Sequence, residues 1–263
     1  MTIYSIGDIH GQSGQLDRAI GLIEQDGGPE ARIVFLGDYT DRGSDSKGVL
    51  DRLIAGRDAG KPWRFVRGNH DRMFMNFLLS GEQHDRNIKS GLSWMNRRLG
   101  GPKTLESYGL GGAPMFLHSR NGGRETLASY DVDGRSLSDL ELAQEARVLV
   151  PEAHKQFLAD LPLYIEDGQY LFVHAGLRPG IDLKDQVEDD LIWIRDGWLD
   201  STKTHPWLVV HGHTALDFPQ HHGNRVNLDG GAGFGNPLVP AVFDEDGVFT
   251  LHEDGRRPLR PPA

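Results

Sequence analysis

Five short clusters hold the residue types that bind ions and move protons: GDIHG (7–11), GDYTDRG (37–43), RGNHD (67–71), HAG (174–176) and HGHT (211–214). Asp8 and His10 stand two apart, so in an extended chain both project to one side and could form half of a chelate. Asp38 and Asp41 lie three apart with Arg42 directly after, although Gly, Asp, Thr and Arg are also the ordinary material of a solvated turn. Asn69 precedes His70. An amide oxygen can bind a metal while the adjacent imidazole, aimed elsewhere, is free for proton transfer. Cysteine is absent, which excludes disulfides, thiolate ligands and thiol nucleophiles and leaves any metal to His, Asp, Glu or Asn.

The elements that must position these clusters are read from periodicity. IYSI (3–6), RIVFL (32–36) and WRFVR (63–67) read as strands. The segment 12–25 reads as a helix with Leu16, Ile20 and Ile23 on one face, and 45–57 as another with Val49, Leu50, Leu53 and Ile54 inward. YLFVH (170–174) and WLVVH (207–211) have the continuous apolar character of buried strands, and LVPAVFD and VFTLH form a closing pair around EDG. Every cluster therefore falls at the carboxyl end of an expected strand, where ligands bind in an open α/β sheet. The stretch 81–150 carries no clear strand. Within it, GGPKTLESYG (100–109) echoes GGRETLASYD (122–131) at a spacing of 22, too few copies for a solenoid.

The 263 residues, 38% of them hydrophobic, suffice for a sizeable core. A formal charge of −10 argues against a nucleic-acid duplex as partner, but a bound divalent metal can invert the local field and admit small anions. No apolar run approaches a membrane span, and MTIYSIGDIHG lacks the features of a signal peptide, so the expected location is cytoplasmic with no membrane partner.

The ordered set GDIHG, GDYTDRG, RGNHD, HAG, HGHT and then VNLDGGAGFG (226–235) resembles the phosphoprotein phosphatase family of binuclear, calcineurin-like metallophosphoesterases, particularly its bacterial members. The resemblance implies a four-layer α/β/β/α sandwich with two mixed sheets, one domain over 1–263, and 81–150 as a helical insertion near the active site. It implies two divalent metal ions. Asp8, His10 and Asp38 would hold one, and Asp38 would bridge to a second completed by Asn69, His174 and His213. Oxygen and imidazole ligands suit manganese, iron or zinc, and manganese is the expected ion, with iron or zinc as alternatives. The implied mechanism is in-line attack by a metal-bridging hydroxide, with His70 as general acid oriented by Asp41. Arg42 and Arg67 would contact the phosphoryl oxygens. Arg195, in LIWIRDG, would be the family's third arginine, or else an exposed residue after a buried run.

Three substrate classes compete within the resemblance. A serine/threonine protein phosphatase-like phosphomonoesterase fits the presence of Asp41 and the complete DRG. The symmetrical bis(5'-nucleosyl)-tetraphosphatases are similar in ending the third motif with Asp71, but they usually replace the residue matching Asp41 and have proline where this chain has Ser44. Nucleases and cyclic phosphodiesterases expect a histidine two after His213, where Ala215 stands. A non-catalytic phosphate-binding module is the reading from another class. Of the other histidines, His211 is a candidate to support the metals, while His84, His118, His154, His205, His221, His222 and His252 read as solvated or capping.

Overall fold

Tyr4 and Ile6 of β1 (Ile3–Ile6) turn to one hydrophobic cluster and Ile3 to another, and all four residues of the strand are buried. Successive strand side chains face opposite sides, so a strand covered on both faces has a continuous apolar run rather than an alternating one. The same division recurs in β2 (Ile33–Phe35), where Ile33 and Phe35 face one cluster and Val34 the other. The computed structural model describes residues 2–110 and 139–262; the second copy of the echo and His118 lie outside the described residues.

The chain runs from β1 through α1 (Ser13–Gly27) to β2, then through α2 (Ser46–Asp58) to β3 (Trp63–Phe65), and the three strands pair in parallel. β1 also pairs antiparallel with β9 (Ala241–Asp244), which continues into β10 (Gly247–His252) and β11 (Gly255–Pro258). A second mixed sheet contains β4 (Tyr164–Asp167), β5 (Tyr170–Val173), β6 (Leu208–His211), β7 (Gln220–His221) and β8 (Arg225–Asn227), in the order β4-β5-β6-β8-β7. Val34, Leu36 and Val66 of the first half meet Phe172, Val210 and Val226 of the second, making the layer between the sheets. α1, α2, α3 (Asn69–Ser80) and α6 (Glu152–Ala159) cover the outside of the first sheet, and α7 (Glu188–Trp193) covers the second. The layers are thus helix, sheet, sheet, helix.

Four strands escape the periodicity reading. β4, β7, β8 and β11 are two to four residues long and carry polar side chains, so they offer no apolar run; three of them are edge strands and β8 lies next to an edge. Between 81 and 150 the described residues hold α4 (Gly101–Ser107) and α5 (Asp139–Leu149) and no strand. No helix among the described residues is long and apolar enough to cross a membrane.

Candidate metal centre and cleft

The loops after β1, β2, β3, β5 and β6 converge at one end of the sandwich, and their backbones are strained there. Among the described residues, the non-glycine positions with positive φ are His10 (49°), Asp38 (52°), Asp41 (74°), Arg42 (62°) and His213 (65°). Left-handed backbone crowds the Cβ of an L residue, at a cost of order 1–3 kcal/mol each. All five are residues that the sequence motifs single out. Asp8 and His10 consequently do not project together from an extended strand; the chain turns at His10, and the side chains converge from a bend instead.

Asp71 holds much of this bend in place. One carboxylate oxygen accepts from the amides of Asp38 and Gly68, each at 2.9 Å, and the other from Tyr39 N at 3.0 Å. It ties the loop after β2 to the N-terminus of α3, where an acidic residue also meets the helix dipole favourably. Burial, then the nearby Asp38 carboxylate, push Asp71 up to about 8. Its side chain is turned to backbone, so its identity carries no direct information about substrate. Gly68 is required beside it, because a Cβ there would run into the amide and carboxylate of Asp38.

Two triplets of ligand atoms share Asp38: His10, Asp38 and His70, and Asp38, His174 and His213, each with atoms within 4.8 Å of one another. His10 Nε2 lies 3.5 Å from one Asp38 oxygen and His174 Nε2 lies 3.5 Å from the other. Asp8 is 3.9 Å from His10 Nε2 and accepts from His213 N at 3.1 Å. Asn69 Oδ1 lies 2.9 Å from His174 Nε2 and 2.8 Å from His213 Nδ1.

The imidazole protons are directed away from this centre. His10 Nδ1 donates to Thr40 O at 2.9 Å and His174 Nδ1 to Leu36 O at 2.8 Å, while His213 Nε2 donates to Trp193 O at 3.2 Å. Such carbonyl contacts fix the tautomer of a ligating histidine. The opposite nitrogens then present lone pairs to carboxylate and amide oxygens, an acceptor-rich arrangement that a cation satisfies. Burial, followed by Asp229 and Asp38, pushes Asp8 well above the usual carboxylate range. Burial, followed by Arg42, holds His10 well below the usual imidazole range; burial, followed by Arg195, does the same to His213. Buried like charges and neutral imidazoles, with no thiolate, fit hard or borderline divalent ions shared through one carboxylate.

His70 is adjacent but differently held. Its Nδ1 donates to Asp41 Oδ2 at 2.5 Å, and the same oxygen accepts from Trp94 Nε1 at 2.7 Å. The other Asp41 oxygen accepts from the Thr104 hydroxyl at 2.5 Å. Burial pushes Asp41 up to about 7 and His70 down to about 3. Neither charge is favoured alone, and the hydrogen bond fixes the ring with Nε2 toward the cleft. Trp94 and Thr104 were not foreseen. They lie in the stretch without periodicity, where a lone tryptophan, Trp94, was the available signal.

The arginines divide. Arg42 places one nitrogen 2.5 Å from His10 Nε2 and another 3.2 Å from His70 Nε2, while its guanidinium lies over Phe234 at 4.7 Å. Arg195 also lines the cleft and donates to His213 O at 3.1 Å. Arg67 is a correction: it donates to Ala159 O at 2.7 Å and approaches Glu188 at 3.4 Å, so it ties the start of α3 to α6 and α7 instead of facing the cleft. Arg67→Ala is expected to lower the thermal midpoint while leaving KM for a phosphoester within about twofold, since only packing and carbonyl contacts are lost. Arg195→Ala is expected to raise KM by about tenfold or more, in line with loss of a charge-assisted contact. Steady-state kinetics beside a melting curve separates the two.

His211 is buried on the other side of β6, with its ring 5.6 Å from Trp198 and Nδ1 3.1 Å from Gly212 O. His154 is likewise buried, bridging Tyr108 OH at 2.8 Å and Asp51 at 2.9 Å, which corrects its reading as solvated or capping.

With two mixed sheets, flanking helices and the strand-end cluster in view, the chain belongs to a recognised class. The family of calcineurin-like phosphoesterases matches over residues 1–248, and the protein is a member of that metal-dependent hydrolase family. It is 25% identical over 271 residues to the asymmetrical bis(5'-nucleosyl)-tetraphosphatase PrpE of Geobacillus thermodenitrificans, covering 93% of this chain and 91% of that protein. The protein of the same name in Bacillus subtilis is 26% identical over 264 residues, covering 91% and 90%. The solved structure of a cold-active protein-tyrosine phosphatase from a psychrophilic Shewanella superposes with a TM-score of 0.59 at 17% identity, covering 98% of this chain and 80% of that one.

Proposed function

We propose that this protein hydrolyses phosphoesters with two divalent ions, held by Asp8, His10, Asp38, Asn69, His174 and His213, and that its substrates are dinucleoside polyphosphates. The observation that carries the hydrolase reading is the position of Asp38, with one oxygen toward His10 and the other toward His174. When bound, the ions would supply an activated water and offset phosphoryl charge. The ligand types suit manganese, iron or zinc alike, and manganese is the ion proposed. Asp41 orients His70 and, as a carboxylate, would hold it as the imidazolium whose Nε2–H protonates the leaving oxygen, a transfer typically worth about 10²–10⁴-fold. Arg42, which here rests against the two histidines, is placed to turn its fork onto the phosphoryl group, and Arg195 meets it from the opposite wall.

The substrate class is supported by the names of the relatives matched over nine-tenths of the chain. A phosphomonoesterase acting on phosphoserine or phosphothreonine is the second reading, favoured by the complete Asp41–His70 pair. Rates on diadenosine tetraphosphate, a phosphoserine peptide and para-nitrophenyl phosphate, measured side by side with manganese, decide between them. The dinucleotide is expected to give the highest kcat/KM. Preference for the peptide would replace the first reading with the second, and no turnover of any ester would sink both.

A further inference from the structure

The cleft continues past the ligand cluster to a wall built from Asn87, Ile88, Lys89 and Ser90, facing Trp193 and Arg195. Its volume is about 230 Å³, below the ~300–1,000 Å³ of pockets that enclose a drug-sized ligand. Arg42, Lys89 and Arg195 contribute three cations to the lining, against one acid, Asp38. A single phosphoryl group placed over the metals can engage Arg42 and Arg195, which leaves Lys89 beyond it. Lys89 is tied to Asp196 at 2.5 Å, with both side chains mostly exposed (73% and 83%). Exposed pairs of this kind are weak and easily exchanged. Trp193 adds a buried indole N–H without a partner among the described residues, a donor already withdrawn from water.

We propose that Lys89, with Asn87, Ser90 and the Trp193 indole around it, forms a subsite for phosphate groups beyond the one being cleaved. This rests on the reading of the protein as a phosphoester hydrolase and narrows it: the cleft recognises a chain of phosphates. Asp196 occupies Lys89 in the free protein and gives way to a more highly charged phosphate. The small volume leaves sugar and base outside, so recognition is indifferent to the base.

The test uses the full chain in two arms. In the binding arm, calorimetry with tripolyphosphate and with orthophosphate reads the ratio of their affinities, independently of turnover. Lys89→Ala is expected to lower the preference for tripolyphosphate about tenfold, the loss of one charge-assisted contact. Lys89→Arg should restore most of it, and Asp196→Asn should raise it above the wild-type value. In the kinetic arm, the ratio of kcat/KM on diadenosine tetraphosphate to that on para-nitrophenyl phosphate should follow the same order, and diguanosine tetraphosphate should behave like the adenosine compound. An unchanged ratio in Lys89→Ala overturns the subsite even if hydrolysis is normal. A protein that hydrolyses nothing but shows the tripolyphosphate pattern keeps the subsite and loses the enzyme reading. Binding of tripolyphosphate without hydrolysis of the dinucleotide, in an enzyme active on para-nitrophenyl phosphate, assigns the phosphate chain to an inorganic source.

Discussion

Asp38→Asn is expected to leave a folded protein that no longer retains a pair of divalent ions. The substitution is nearly isosteric, and an amide oxygen can still accept from His70 N, which bonds Asp38 at 2.9 Å. What disappears is the negative charge shared between His10 on one side and His174 on the other. Two cations held about 3.5–4 Å apart repel strongly and need an anion between them. Elemental analysis after dialysis should fall from two manganese ions per chain to one or none. Hydrolysis of para-nitrophenyl phosphate should drop by more than the roughly 10²–10⁴-fold that loss of an acid alone produces. Two tightly held ions in the variant would remove Asp38 from the bridging role.

His70→Asn should separate proton transfer from metal binding. Its imidazole is fixed by Asp41, which Trp94 and Thr104 hold in turn, so the ring has one orientation and one nitrogen available to the cleft. Removing it should lower kcat about 10²–10⁴-fold with little change in KM, because the proton is delivered only as the leaving oxygen departs. The metal content should stay at two per chain. A leaving group that needs no proton, such as para-nitrophenolate, should lose less than an alkyl phosphate. Equal losses on both esters, or an unaltered kcat, would take His70 out of the acid's role.

Most of the strands that carry the site were legible because β1, β2 and β5 are buried on two faces and read as apolar runs, while β3 alternates around an exposed Arg64. The clusters at their ends were legible because few other loops concentrate Asp, Asn and His so densely. Trp94 and Thr104 were not, since their partner Asp41 lies 53 and 63 positions away and pairing over such distances leaves no local pattern. Arg67 shows the opposite failure. Its neighbours in RGNHD belong to the site, yet its own side chain leaves the strand end toward Ala159 O and Glu188. Sequence adjacency places a residue near a site; the direction of its side chain depends on what packs beside it. Asp71 likewise looked like a marker of substrate, but its oxygens serve three backbone amides.

The left-handed residues also bear on how this lineage could drift. Glycine adopts that conformation freely, whereas any other side chain resists it. At His213, with φ of 65°, a glycine variant should therefore melt above the alanine variant, the reverse of the order in a helix interior, where glycine is worse by roughly 0.5–1 kcal/mol. Differential scanning calorimetry of the metal-free variants gives the comparison, and alanine melting higher would show that the backbone there is unstrained. Selection for chemistry is then what keeps histidine, aspartate and arginine at these bends. A descendant relieved of that selection would gain stability by replacing them with glycine, and glycines scattered through these motifs would be the fossil record of an abandoned active site.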